Sequence, residues 1–154
     1  PAFEPPPGNY VMVDWGETFD TLDELIAESE ICVTGEVISQ EVKDESLYWT
    51  FYNVEASDGN TYRVLMTGAF VDGMAEDVIT DTYLMEVGKS YFLCLEMAPD
   101  DDETYYNIMG GNQGYGLYDP DTGEVTAINS GKRALFSSFK VEEVDGTIRA
   151  YDVK

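Results

Sequence analysis

The sequence predicts a mainly β domain, either a sandwich or a closed barrel, and three observations lead to this prediction. Roughly eight short segments alternate apolar and polar residues, as half-buried strands do. Turn residues separate these segments at spacings of roughly 8–12 residues, which is typical of all-β domains. The composition includes 11 Tyr, 7 Phe and 2 Trp, types that favour strands. We expect one short N-terminal helix and a C-terminal hairpin in addition.

The helix is predicted to run from Thr21 to about Ser29. Thr21 is a suitable N-cap, and Glu24 three residues later completes a capping box. Leu22 and Leu25 lie three positions apart and form an apolar stripe that faces a sheet. The helix is therefore expected to lie against the strands that follow it.

The strands are predicted from alternation and from turn residues. The hairpin signals include Ser57-Asp58-Gly59-Asn60 and, near the C-terminus, Asp145-Gly146. The expected strand segments are 31–37, 47–56, 62–66, 91–97, 105–109, 115–118, 124–128, 139–144 and 147–153. Residues 70–84 have no clean period, and we interpret them as a loop or an irregular insertion.

The chain divides into residues 1–18, predicted to be an extended N-terminal tail, and residues 19–154, predicted to be a single β-barrel-like domain. A length of 154 residues suits one domain that buries its own core. The opening Pro1 to Gly8 is proline-rich and typical of a linker. Such a tail suits a mature protein after a cleavage site, and we expect a lipid anchor upstream of residue 1 as one means of attachment.

Charge excludes several functions. The chain has 31 acidic and 8 basic residues, a formal net charge of −23 and no histidine. Nucleic acid phosphates would repel such a chain, so no nucleic-acid partner is expected. Without histidine, Ser-His and Cys-His nucleophiles are excluded. No apolar run approaches the ~20 residues of a membrane-spanning helix, so no transmembrane segment is expected in this chain.

Two cysteines, Cys32 and Cys94, are too few to form a disulfide framework. We expect two unpaired thiols that pack as small hydrophobic groups. The alternative is a disulfide, which requires the two strands to be neighbours. It would close a long loop and contribute about 4 kcal/mol in the entropic model.

Calcium is the cofactor that the acids first suggest. Asp119 and Asp121 stand at alternate positions, as calcium ligands do, but Gly123 occupies the third position. Asp and Gly in this order are also typical of a hairpin turn. We expect no cofactor, with weak calcium binding at Asp119 and Asp121 as the alternative.

Aromatic residues are the candidate ligand-binding groups: Tyr48 and Trp49 in one strand, and Tyr105 and Tyr115 further along the chain. Segment 47–56 carries aromatic residues on both faces, so one face is either covered or exposed. If the helix and the C-terminal hairpin cover it, that face belongs to the core. If it is exposed, it stacks on sugar rings or anchors a protein partner.

Several segments between about Phe19 and Val125 together carry a resemblance to known domains. The matching residues are Phe19, Thr21-Leu22-Asp23-Glu24-Leu25, Ser29-Glu30, Val33, Gly35, Val37, Val87-Gly88, Tyr91-Phe92-Leu93-Cys94-Leu95 and Gly110-Gly111-Asn112-Gln113-Gly114-Tyr115. They resemble a family of small, functionally uncharacterised domains from bacterial secreted and lipoprotein-type proteins. The resemblance implies an OB-like antiparallel barrel in an extracytoplasmic, surface-attached module, and it carries over no catalytic residue.

The leading functional hypothesis is a non-enzymatic binding module that is extracellular or at the cell surface, with a protein or a glycan as its unknown partner. The alternative is an enzyme that uses two carboxylates on a glycan, which requires acids whose pKa values differ through burial. A structural or inhibitory domain of a larger surface assembly is a third hypothesis. Salt adaptation is a further explanation for the excess of acids.

Overall fold

The computed structural model describes residues 5–12, 18–44, 46–80, 82–100, 102–128 and 134–154, and within them one helix and twelve strands. In chain order the elements are β1 (Gly8–Val11), α1 (Leu22–Glu28), β2 (Ile31–Asp44), β3 (Tyr48–Ala56), β4 (Thr61–Thr67), β5 (Ala69–Val71), β6 (Met74–Ile79), β7 (Ser90–Met97), β8 (Tyr106–Ile108), β9 (Tyr115–Tyr118), β10 (Glu124–Ala127), β11 (Ser138–Val144) and β12 (Thr147–Tyr151).

Five strands close into a barrel in the order β7-β2-β3-β4-β8, and β8 pairs back with β7. Neighbouring strands are antiparallel except β4 and β8, which are parallel. Closure removes the sheet edges that an open sheet would expose. The prediction of a mainly β, OB-like barrel with one short helix and a C-terminal hairpin is confirmed.

Apolar side chains fill the barrel because alternate residues of each strand point inward. Tyr52 and Val54 of β3, Val64 of β4, and Leu93 and Leu95 of β7 are all at most 1% exposed. They belong to one contiguous buried cluster. The inward face of β3 is therefore core, and the residues between these positions point away from it.

A second core lies on the other side of β7. The sheet continues from β7 through β9, β10 and β11 to β12, and α1 packs against this extension. Phe92 and Cys94 of β7, Leu25 of α1 and Phe139 of β11 are buried together. The Phe92 and Phe139 rings meet edge to face, with centroids 5.1 Å apart. The helix and the C-terminal hairpin thus cover β7.

The predicted helix is confirmed, and its ends follow from its sequence. The Thr21 side chain accepts a hydrogen bond from the Glu24 N–H at 3.2 Å, which makes Thr21 the N-cap. The Glu24 carboxylate accepts from the Asp20 N–H at 3.4 Å, one residue before the cap. The Ser29 N–H donates to the Leu25 carbonyl at 3.1 Å and ends the helix. The helix therefore stops after two turns.

The prediction of a loop or irregular insertion for residues 70–84 was wrong in part. β5 and β6 form a hairpin there, with Asp72 and Gly73 in the turn at φ of 51° and 78°. β1, from the segment predicted to be an extended tail, pairs in parallel with β6. Asp77 has a φ of 56° within β6, and the register with β1 shifts beside it. This bulge breaks the alternation by which a strand is recognised.

β2 extends well beyond the part that pairs with β7. It pairs with β7 from Ile31 to Glu36 and with β3 from Gly35 to Asp44. The register slips between Val37 and Ser39, so Ile38 is the extra residue of a bulge. Among the described residues, no strand pairs with the second edge of β2 from Ser39 to Asp44.

Within the described part of the chain, no helix has the length and hydropathy needed to cross a bilayer.

Candidate ligand-binding face

The outward-pointing side chains of β2, β3 and β4 form the candidate site, which we call the outer face. Successive residues of a strand point to opposite faces of the sheet. Since Tyr52 of β3 points into the barrel, Phe51 and Asn53 on either side of it point outward. The two antiparallel registers set these residues in three rows across the sheet. The rows are Ser39-Asn53-Arg63, Glu41-Phe51-Leu65 and Lys43-Trp49-Thr67. Glu103 and Tyr105, from the loop between β7 and β8, complete the outer face.

Phe51 is at the centre of the outer face and is only 6% exposed. The Arg63 guanidinium lies over its ring at 4.1 Å from the centroid, and the Lys43 Nζ lies at 5.1 Å. Tyr105 meets the ring edge to face at 5.5 Å. Two cations and one aromatic ring therefore cover Phe51, in place of the packed apolar elements that cover β7. Cation–π contacts of this kind add about 0.5–1 kcal/mol at exposed sites.

Two carboxylates hold the cations in place. The Arg63 Nε and Nη2 both approach the Glu103 Oε1 at 2.9 Å. Glu41 lies 3.6 Å from Arg63 and 3.7 Å from Lys43, and Lys43 lies 3.8 Å from Glu103. The cluster contains two positive and two negative groups, so its local charge is balanced although the chain is strongly acidic. Its polar atoms lie beside aromatic surface on a rigid sheet.

Trp49 and Tyr105, two of the predicted ligand-binding residues, both belong to the outer face. Each is partly buried, so part of each ring stays accessible. Trp49 lies directly between Lys43 and Thr67 in the sheet. The structure thus brings together two residues that are far apart in sequence.

Tyr48, the third predicted residue, does not join them. It points to the opposite side of β3 from Trp49, since neighbouring strand residues alternate. Its backbone N–H donates to the Asp77 carboxylate at 3.0 Å. The carboxylate of Asp44, its partner in β2, raises the pKa of the Tyr48 hydroxyl. Tyr48 therefore faces an acidic neighbourhood on a different surface.

Tyr115, the fourth predicted residue, lies in the barrel core and is 2% exposed. Its hydroxyl donates to the Tyr83 carbonyl at 2.7 Å and accepts from the Tyr83 N–H at 3.0 Å. Burial raises the pKa of this hydroxyl. Tyr115 fastens the connection between β6 and β7 to the barrel and is not accessible to a ligand at the surface.

A cleft with a volume of about 290 Å³ adjoins the outer face. Leu65 and Thr67 belong to both, and Glu96 and Asn107 add polar groups to the cleft. Thr82 lines it as well, and the Thr82 Oγ1 is buried without a hydrogen-bond partner among the described atoms. A buried hydroxyl of this kind is rare in folded proteins. Since this hydroxyl is closed off from solvent, the partly exposed polar groups that the cleft offers beside the aromatic surface are those of Glu96 and Asn107.

A second concavity, of about 280 Å³, lies beneath the N-terminal segment. Pro5 and Pro6 form part of its wall, with Tyr10, Phe70 and Tyr83. The Tyr10 hydroxyl donates to the Pro6 carbonyl. This space is almost wholly apolar, and part of its wall comes from the chain's own N-terminal prolines.

Asp119 and Asp121, the predicted calcium ligands, lie in the turn between β9 and β10. The Asp119 carboxylate accepts from the Asp121 N–H at 2.9 Å, and the Asp119 carbonyl accepts from the Gly123 N–H at 2.8 Å. These bonds are those of an ordinary Asx-type turn. Among the residues that the structure describes, no group of three or more acids or cysteines is arranged to hold a metal ion.

Sequence reasoning missed Arg63, Lys43 and Glu103 as members of the site. The signal that could have found the cations is the rarity of basic residues, 8 in 154. Two of them occupy outward positions on strands that flank the aromatic segment. Glu103 carried no local signal, because it lies 40 positions from Arg63.

The acids of the outer face are partly exposed, with Glu103 at 35% and Glu41 at 56%. Among the described residues, the buried polar side chains are those of Thr34, Thr50, Thr82, Asn112 and Gln113, and none is a carboxylate.

Compared with protein-family models, with curated proteins and with solved structures, the chain matches none.

Proposed function

We propose that this chain is a non-enzymatic binding module, extracellular or at the cell surface, that binds a neutral glycan through its outer face. The observation that carries the proposal is the partly exposed Trp49 beside a charge-balanced Arg63–Glu103–Lys43–Glu41 network. A protein partner bound through the same aromatic residues is the alternative ligand class.

Sugar rings suit this surface for two reasons. Their C–H faces stack on aromatic rings, which supply a large apolar area with few rotatable bonds. Their hydroxyls both donate and accept hydrogen bonds, as the guanidinium, ammonium and carboxylate groups around Phe51 and next to Trp49 require. Glu96 and Asn107 in the adjoining cleft extend this set of polar groups. A glycan of several units would run from Trp49 into the cleft.

Charge favours a neutral glycan over an acidic one. The net charge of −23 repels anionic polymers at long range. The two cations of the outer face are each already within 4 Å of a carboxylate, so neither is a spare charge for an anion. The same repulsion keeps copies of the chain apart in solution.

An enzyme that uses two carboxylates receives less support from this site. A catalytic acid needs an apolar environment that keeps it protonated near neutral pH. Glu41 and Glu103 are instead paired with cations, and their side chains are 56% and 35% exposed. Paired, exposed carboxylates favour binding over proton transfer.

The location outside the cell is part of the proposal. The proline-rich segment, the high acidity and the resemblance to secreted and lipoprotein-type domains support it. Weak calcium binding at Asp119 and Asp121 is not needed for the proposed function.

A glycan array probed with the full chain tests the proposal. We expect binding to a neutral glycan that falls roughly tenfold or more in Trp49→Ala, since an anchoring Trp contributes on the order of 2 kcal/mol. Tyr151→Ala is the matched control, because Tyr151 is an exposed aromatic residue, 44% accessible, on β12. Equal loss in both variants, or binding that survives Trp49→Ala, would contradict the site.

Two further measurements separate the alternatives. Asn107→Ala removes a partly exposed polar side chain of the cleft, so we expect weaker glycan binding. Incubation of the bound glycan with the chain should leave the glycan intact. Cleavage that disappears in the Glu41→Gln, Glu103→Gln double variant would favour the enzyme instead.

A further inference from the structure

Cys32 and Cys94 lie directly opposite each other on β2 and β7. Their Sγ atoms are 3.5 Å apart, although the residues are 62 positions apart in the sequence. Both are free thiols in this structure. A disulfide requires the two strands to be neighbours, and β2 and β7 are neighbours in the barrel wall.

The backbone geometry also suits a bond between them. The Cys94 N–H donates to the Gly114 carbonyl at 2.7 Å, and the Cys94 carbonyl accepts from the Met109 N–H at 2.8 Å. Both groups point away from β2, so Cys32 and Cys94 form a non-hydrogen-bonded pair. Opposite Cα atoms in such pairs are about 4.5 Å apart, within the range of about 4.4–6.8 Å that disulfides span.

The two thiols differ in access. Cys94 is fully buried in the second core, whereas Cys32 is partly exposed near the end of α1. The hydrogen bond with Cys94 lowers the pKa of the Cys32 thiol, while burial raises the pKa of the Cys94 thiol. The thiolate is the reactive form, so access and ionisation both favour Cys32 as the sulfur that reacts first.

We propose that Cys32 and Cys94 are an oxidation site that forms a disulfide across β2 and β7, with a small-molecule disulfide as the oxidant and Cys32 as the attacking thiol. This inference concerns a covalent modification and does not depend on the proposed function. The bond would join the two barrel strands on the side that α1 covers, away from the outer face.

The chemistry proceeds in two exchanges, written here for oxidised glutathione. The Cys32 thiolate attacks one glutathione sulfur, which breaks the glutathione disulfide, forms a mixed disulfide and releases one glutathione thiolate. That thiolate takes the proton that Cys32 lost. Cys94 then gives up its proton and attacks the Cys32 Sγ, which expels the second glutathione thiolate to accept that proton. Two protein thiols are oxidised, and one glutathione disulfide is reduced to two glutathione thiols.

Intact-mass measurement of the full chain in glutathione buffers tests the proposal. In excess oxidised glutathione we expect the folded wild type to lose two hydrogens without retaining a glutathione adduct. We expect Cys94→Ser to keep a stable glutathione adduct on Cys32. We expect Cys32→Ser to stay unmodified, because Cys94 is buried. A folded wild type that keeps two free thiols would overturn the proposal.

Two measurements on the wild type keep the test independent of the variants' folding. Brief alkylation of the reduced chain followed by peptide mapping should label Cys32 roughly tenfold faster than Cys94. Oxidation should raise Tm by about 10 °C, since the bond closes a long loop. Faster labelling of Cys94 would overturn the assigned order, and an unchanged or lower Tm would overturn the cross-link between β2 and β7.

Discussion

β7 and β3 both carry apolar side chains on both of their faces, yet different kinds of side chain cover the outward face of each strand. All five residues from Tyr91 to Leu95 in β7 are at most 2% exposed. On β3, only the inward residues such as Tyr52 are covered by the barrel core, and Phe51 on the other side is covered by cations and Tyr105. A strand with two apolar faces therefore either belongs to the core on both sides or borders accessible polar groups on one side, according to what packs on its second face.

The difference follows from the position of the covering elements. α1 and β11 pack on β7, because their apolar residues form one cluster with Phe92 and Cys94. Over β3 the covering side chains come from strands and a loop of the barrel itself, and two of the three, Arg63 and Lys43, are charged. They bury the Phe51 ring, yet the carboxylates paired with them stay partly exposed, Glu103 at 35% and Glu41 at 56%.

The largest expected effect comes from truncating the two outward phenylalanines. Phe92→Ala should lower the free energy of unfolding by about 3–5 kcal/mol, because it leaves a cavity in a packed core. Phe51→Ala should cost at least ~1 kcal/mol less, since water and the flexible Arg63 and Lys43 side chains can fill the space. Urea unfolding at equal m-values measures both. Equal costs would mean that the outer face of β3 is core and would end the comparison.

The stability of the fold at alkaline pH tests whether the buried tyrosines on the inner faces of β3 and β7 contribute in the same way. Burial raises the pKa of Tyr52 on β3, and burial raises the pKa of Tyr91 on β7 to about 12. An unfolded tyrosine titrates near pH 10, so each tyrosine's contribution is complete below about pH 10 and is lost as the pH rises towards the folded pKa. Stability should therefore fall steeply above about pH 10.

Phenylalanine variants identify the source of that fall. Tyr52→Phe and Tyr91→Phe should each flatten the dependence of the urea midpoint on pH between about pH 10 and pH 12. Tyr151→Phe, at an exposed position of β12, is the control and should leave it unchanged. If all three variants keep the wild-type slope, general charge repulsion and not the buried hydroxyls explains the loss.

The smallest expected effect is the coupling that covers Phe51. A double-mutant cycle with Arg63→Met and Phe51→Leu should give about 0.5–1 kcal/mol of coupling, since the guanidinium lies 4.1 Å from the ring. The same cycle with Lys43→Met should give less, because its ammonium lies 5.1 Å away. Coupling of several kcal/mol at either cation would indicate a desolvated contact, as tightly covered as the outer face of β7.

Local signals account for what the sequence predicted correctly. The N-cap at Thr21 and the Asp145-Gly146 turn act within a few residues, so both were visible. The β5–β6 hairpin was missed because the bulge at Asp77 disrupts the alternation that marks a strand. Cys32 and Cys94 were expected to be unpaired thiols, with a disulfide as the alternative if their strands were neighbours. That the two residues lie opposite each other is a property of the strand register, which no local signal reveals.

The candidate site was only partly predictable for the same reason. Trp49 and Tyr105 could be proposed as aromatic residues on strands, but Tyr115 has the same local pattern and lies in the core. What separates them is distant: Tyr115 pairs with Leu93 of β7, and its hydroxyl bonds to Tyr83. The Arg63–Glu103 pair likewise depends on the closure of the barrel, which no local pattern reveals.

The unpaired edge of β2 has a consequence for the behaviour of many copies together. From Ser39 to Asp44 no strand in the described part of the chain pairs with this edge, so its backbone groups offer a template for another strand, the kind of contact by which sheets from separate molecules merge into aggregates. Glu41, Lys43 and Asp44 put charges along this stretch, and the bulge at Ile38 bends its start. Charges and bulges at a strand edge are features that oppose intermolecular β-pairing.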